Sequence, residues 1–132
     1  MSDFATNVGN TFCWHELYCA NAEEGVKFYT EAFGWGTESM DMGPMGTYPM
    51  LNANGMSVAG VFGTAAHADM ADVPPHWAIY IAVDDVDAKL AHCQSLGAML
   101  LVGPMDVPTV GRMALMKDPV GATFWLFKGQ SE

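Results

Sequence analysis

The sequence predicts an α+β fold built from two βαβββ modules in one domain of 132 residues. Module one covers about 11–63, a linker 64–75 and module two about 76–128. Three observations carry the prediction. A helical pattern occurs twice at a fixed spacing, each copy follows a strand-like run, and each is followed by three further runs divided by Gly and Pro.

The first strand is "FCWHELYC", Phe12 to Cys19. The helix after it opens on Asn21 as N-cap, with Glu24 in the capping-box position three residues on. Ala22, Val26, Tyr29 and Phe33 fall on one helical face, and Gly34 stops the helix. The strands "TESMDM", "TYPMLNAN" and "MSVAGVFG" follow. "TAAHADMADVPP", Thr64 to Pro75, is small, polar and ends in two prolines, which marks the linker. The second copy starts with "WAIYIAV", Trp77 to Val83. Its helix, "DDVDAKLAHCQSLG", takes Asp84 as N-cap, Val86, Leu90 and Cys93 as apolar stripe and Gly97 as stop. Both helix ends repeat at an offset of 63, which predicts two helices of equal length. The strands repeat at 64, with Ala20 as the extra junction residue. "AMLLVGPM", "GRMALMKD" and "ATFWLFK" complete the module.

Strand alternation decides how "FCWHELYC" is used. Ile79, Ile81 and Val83 make a bulky apolar face suited to lie under a helix, and they match His15, Leu17 and Cys19. His15 is therefore expected under the first helix as a core histidine bonded to backbone. Trp14, Glu16 and Tyr18 match Ala78, Tyr80 and Ala82 on the opposite face. Neighbouring strand residues point to opposite sides, so His15 and Glu16 do not share a metal. Nor is this the helical H-E-x-x-H zinc motif, because Cys19 stands at its last position.

Composition narrows the partners. Five basic against fifteen acidic residues give a net charge of −10, which disfavours nucleic acid and anionic membrane surfaces. No apolar run approaches the roughly 20 residues of a membrane span, and "MSDFATNVGN" lacks signal-peptide character. Charged residues are only 15% of the chain, so a homodimer that buries surface is expected. Cys13 and Cys19 lie about 20 Å apart along an extended strand, beyond disulfide reach. All three cysteines read as reduced thiols of a cytoplasmic protein.

Two stretches carry a family resemblance. "NAEEGVKFYTEAFGW" resembles the helix signature FY-x₃-(L/F)-G-(F/W) of the vicinal oxygen chelate superfamily, and "KDPVGATFWLFK" resembles its closing D-P-x-G strand pair. That superfamily includes glyoxalase I, extradiol dioxygenases and bleomycin-resistance proteins. The resemblance spans about Thr11 to Lys128 and implies an open eight-stranded cup with helices outside and a ligand inside. Metal ligands of the family carry over to Trp14, Ala78 and Trp125, and a fourth position lies in "SVAGVFG", which offers no donor. None of these residues coordinates a transition metal, so no metal and no cofactor is expected.

With that alternation, the implied cup is lined by Trp14, Glu16, Tyr18, Ala78, Tyr80 and Trp125. A carboxylate among rings suits a small organic ligand, cationic or aromatic. Three functions stay open: a metal-free binding protein, a metal-free enzyme with Glu16 as general acid or base, and a metal-dependent lyase or dioxygenase. A collapsed cup, with Glu16 bonded to Tyr18 or Tyr80, is the structural alternative. His67, Asp69, Asp72 and His76 in the linker could meet a metal if the loop folded back. Cys93 is expected buried and inert, and Arg112 at the cup rim.

Overall fold

Each helix begins where a short polar side chain replaces a missing backbone partner. The computed structural model describes residues 9–43 and 46–130. In α1 (Ala22–Phe33), the side chain of Asn21 accepts the Glu24 N–H at 3.1 Å, and Gly34 ends the helix in the left-handed region at φ 72°. In α2 (Val86–Ser95) the cap is Asp85, which accepts from the Ala88 N–H at 2.9 Å. The expected cap, Asp84, stands one residue outside. From Asn21 to Asp85 the offset is 64, equal to that of the strands, so the junction needs no extra residue. The helices are not equal in length: α1 has 12 residues and α2 has 10.

Among the described residues eight strands accompany them: β1 (Thr11–Cys19), β2 (Gly36–Asp41), β3 (Thr47–Ala53), β4 (Met56–Gly63), β5 (His76–Ala82), β6 (Met99–Val107), β7 (Gly111–Lys117) and β8 (Thr123–Gly129). The order along the chain is βαβββ twice, an α+β fold. Residues 64–75 hold two short 3₁₀ turns, Thr64–Ala66 and Ala68–Met70. The chain divides into two compact units, His15–Ala78 and the segment to Trp14 with Ile79 onward, so the division cuts β1 and β5.

In the first unit the strand order is β2-β3-β4-β1, with β1 parallel to β4 and the other pairs antiparallel. Leu17, Leu51, Ala59 and Val61 are buried, and Ala22, Val26 and Tyr29 of α1 pack on them. Leu51 is fully buried, and truncating such a side chain to Ala costs about 2–5 kcal/mol. Phe33 departs from the expected stripe. It is 61% exposed and stacks on Trp35 at 5.3 Å instead of entering the core.

In the other unit the order is β5-β8-β7-β6, again with one parallel pair, β5 and β8. Val83, Ala114, Met116 and Leu126 are buried beneath Val86, Leu90 and Cys93 of α2, so this stripe is as expected. The D-P-x-G turn before β8 is held by Asp118, whose carboxylate accepts from the N–H groups of Val120 and Ala122 at 3.0 and 2.9 Å. Among the described residues no helix is long and apolar enough to cross a membrane.

Candidate functional site

In the unit His15–Ala78, strand pairing sets Glu16 beside Gly60, and Gly60 beside Met50 of β3. Tyr48 lies two residues before Met50 and so shares its face. A Cβ at position 60 would overlap the Tyr48 phenol, so the ring lies where Gly60 leaves space. The Tyr48 hydroxyl there donates to Oε2 of Glu16 at 2.6 Å, the length usual for a hydroxyl on a carboxylate. Glu16 is only 6% exposed. An ionised carboxylate so placed costs several kcal/mol unless donors meet it, and Tyr48 supplies one.

Tyr48 also lines a cleft of about 590 Å³ in the same unit. Its walls come from the β1–α1 junction, the approach to β3, the end of β4 and the first 3₁₀ turn as far as His67. The rings of His67 and Phe62 stack at 4.8 Å, and Tyr18 meets Phe62 edge-on at 5.6 Å. Glu23 reaches the wall, whereas no Lys or Arg among the described residues lines it.

The equivalent face of the other unit is apolar. Tyr80 pairs with Trp125 across β5 and β8, and their rings stack at 5.4 Å and 7°. Phe127 meets Tyr80 edge-on at 6.1 Å. Trp125 is buried, and its indole Nε1 has no hydrogen-bond partner among the described residues.

The six predicted site residues are therefore all buried: Trp14, Tyr80 and Trp125 in one unit, Glu16, Tyr18 and Ala78 in the other. The sequence reading missed Tyr48 as a partner for Glu16. The signal was Gly60, a strand glycine, which marks close approach of another group.

His15 corrects a second expectation. Its ring accompanies the carbonyl of Val58 at 3.2 Å, a backbone partner as foreseen, but the residue is exposed. The cover of α1 reaches Leu17 and Cys19 and stops short of it. Arg112 also sits elsewhere than expected. Its guanidinium forks onto Asp87 at 2.9 and 3.0 Å and reaches Asp106 at 3.0 Å. Arg112 holds the Asp87 carboxyl below its ordinary range, chiefly by that hydrogen bond.

The donor set does not suit the metal that the fold family implies. Trp14, Ala78 and Trp125 offer no ligand atom at the carried-over positions. Among the described residues no group of three or more His, Cys, Asp or Glu could hold an ion, and that includes His67, Asp69, Asp72 and His76. His76 instead meets the Pro74 carbonyl at 2.8 Å. Cys13, Cys19 and Cys93 are free. Burial pushes the Cys13 thiol up to about 11 and raises that of Cys19, with Glu24 adding to the second shift.

With this geometry in place, the comparisons decide the family. The model of the Glyoxalase/Bleomycin resistance protein/Dioxygenase superfamily matches residues 11–126. The chain belongs to that superfamily. CFP32 of Mycobacterium tuberculosis, provisionally named a glyoxylase, is 34% identical over 92% of this chain and 45% of its own length. The anthracycline biosynthesis protein DnrV of Streptomyces peucetius is 31% identical over 87% of this chain and 46% of its own. This glyoxalase-superfamily chain thus spans about half the length of the curated relatives it matches. Among solved structures, the methylmalonyl-CoA epimerase of Streptomyces coelicolor has a TM-score of 0.65 at 17% identity, covering 93% of this chain and all of its own. The protein BH1468 of Bacillus halodurans reaches 0.72 at 11% identity, covering 94% and 97%. At such identities these likenesses show the fold alone.

Proposed function

We propose that this glyoxalase-superfamily chain binds a small organic molecule without a metal, in the cleft of module one. The observation that carries the reading is the Tyr48–Glu16 pair: a buried carboxylate held by a phenol that itself lines the cleft. Phe62 and His67 offer flat ring area beside it, which suits an aromatic or cationic guest. A relative named for anthracycline biosynthesis agrees with an organic guest. The protein works in the cytoplasm with its thiols reduced, and its charge of −10 keeps nucleic acid away.

A second copy of the chain is the proposed partner. Phe28, Phe33 and Met56 are about 60% exposed in a chain with few charges, and they offer apolar surface to bury. Light scattering should give a dimer mass.

One specific observation favours a second reading, a metal-free enzyme. A short hydrogen bond from a cleft-lining phenol to a buried carboxylate is a route for a proton, with Glu16 as the general base behind Tyr48. Turnover of a retained compound with a pH profile altered in Glu16→Gln would select this reading.

Native mass spectrometry of freshly purified protein, with elemental analysis, tests the main proposal. A retained organic molecule without stoichiometric metal is expected. Near-stoichiometric zinc, iron, nickel or manganese surviving dialysis against a weak chelator would overturn it.

A further inference from the structure

We infer that the linker turn Thr64–Ala66 sets the size limit of the module-one cleft, and that the guest carries several fused rings. The inference rests on the reading of that cleft as the binding site. The turn is tied to the β1–α1 junction, 45 residues away in sequence. Cys19 pairs with Gly63 where β1 and β4 run parallel. Beyond the strands the Thr64 hydroxyl donates to the Cys19 carbonyl at 3.4 Å, and the Ala65 N–H donates to the Ala20 carbonyl at 3.1 Å. Thr64 is buried at this seam. A Cβ on Gly63 would sit 3.3 Å from the backbone nitrogen of Ala22, so the turn lies close against the start of α1. Linker and junction thus form one wall, built before any guest arrives.

That wall is short in side chains. Ala20, Ala22, Gly63, Ala65 and Ala66 bring nothing longer than a methyl to the cleft. Ala20, Ala65 and Ala66 are exposed, so no core packing demands that they be small. The space that longer side chains would fill is left to the guest, and the cleft reaches about 590 Å³. Such a volume lies within the range of sites for drug-sized molecules, about 300–1,000 Å³. A single-ring guest fills only a small part of it. The rings of Tyr48, Phe62 and His67 lie along the same cleft. Flat apolar area on the guest is what these rings and the methyls can cover.

The test compares 9-aminoacridine with 4-aminopyridine, which carry the same aminopyridinium cation on three fused rings and on one. Affinities and sites come from NMR titration of ¹⁵N-labelled protein. Wild type should bind 9-aminoacridine at least about tenfold more tightly, through the added apolar area. The double variant Ala65→Leu, Ala66→Leu should lose about tenfold for 9-aminoacridine and keep 4-aminopyridine within about twofold. Ala20→Leu, across the seam, should do the same, and it decides alone if the double variant does not fold. Equal affinities in wild type would overturn the size limit and leave the cleft as a site. So would an unchanged ratio in the folded variants, whether both affinities hold or both fall. Absence of saturable shifts in residues 20–23, 46–49 and 61–67 with either probe would overturn the cleft itself.

Discussion

The two modules solve the same packing problem in opposite ways. Where module one sets Glu16 beside Gly60, module two sets Tyr80 beside Trp125. Where β3 brings Tyr48 two residues before the partner of Gly60, β7 brings Met113 two before the partner of Trp125. One trio is a carboxylate, a vacancy and a phenol; the other is two stacked rings and a thioether. The helix-covered faces differ far less, since both are aliphatic clusters under a helical stripe. Duplication therefore preserves the side that folds the module, while the opposite side is free to diverge. On that face the carboxylate and the phenol belong to module one, where the guest is proposed to bind.

The comparison breaks most sharply at Gly60. Gly60→Ala puts a methyl where the Tyr48 phenol lies, so the hydroxyl leaves Glu16 and a buried carboxylate loses a donor. A loss of about 1–3 kcal/mol is expected in denaturant melts. The same change at Gly36, where a Cβ meets only the Asn52 side chain at ordinary contact distance, should cost much less.

Next in size is the charge of Glu16. Glu16→Gln should weaken binding of benzylammonium by more than about 1.4 kcal/mol, a factor of ten, in calorimetric titration. Thermal stability should hold, because a neutral amide is cheaper to bury than a carboxylate. Unchanged affinity with a clear loss of stability would make Glu16 structural.

Trp125→Phe sharpens the other half of the comparison. It removes a buried N–H that has no partner among the described residues and keeps a ring to stack on Tyr80. The cost of lost area is offset by the removed polar group, so the change in stability should stay within about 1 kcal/mol.

The smallest effect expected is at the exposed ion pair. Arg112 depresses the folded-state pKa of Asp87, so its contribution is present above the usual carboxylate value of about 3.9 and fades as pH falls through the lowered value. The melting temperatures of wild type and Asp87→Asn should differ slightly at neutral pH and converge in acid.

Much of the fold was legible because it rests on local rules. Asn21 and Gly34 announce the ends of α1, and the stripe Val86, Leu90, Cys93 finds its cluster. Strand parity placed Glu16 opposite the helix-covered face, where it is buried. What was lost depended on contacts distant in sequence. Tyr48 meets Glu16 across 32 residues, through two strand pairings and a glycine, and no short-range pattern encodes that. The failure at His15 was one of extent: parity gives the face of a residue but not how far a helix covers it. Asp84 and Asp85 differ by one residue, and either could cap; the strand offset of 64 was the better guide.

The central claim is that module one, and not module two, reads a guest. An NMR titration of ¹⁵N-labelled protein with benzylammonium tests it most directly. Saturable shifts should concentrate in the amides of residues 20–23, 46–49 and 61–67, around the cleft, and they should weaken in Tyr48→Phe. Shifts centred instead on Tyr80, Trp125 and Phe127, with those three segments silent, would contradict it.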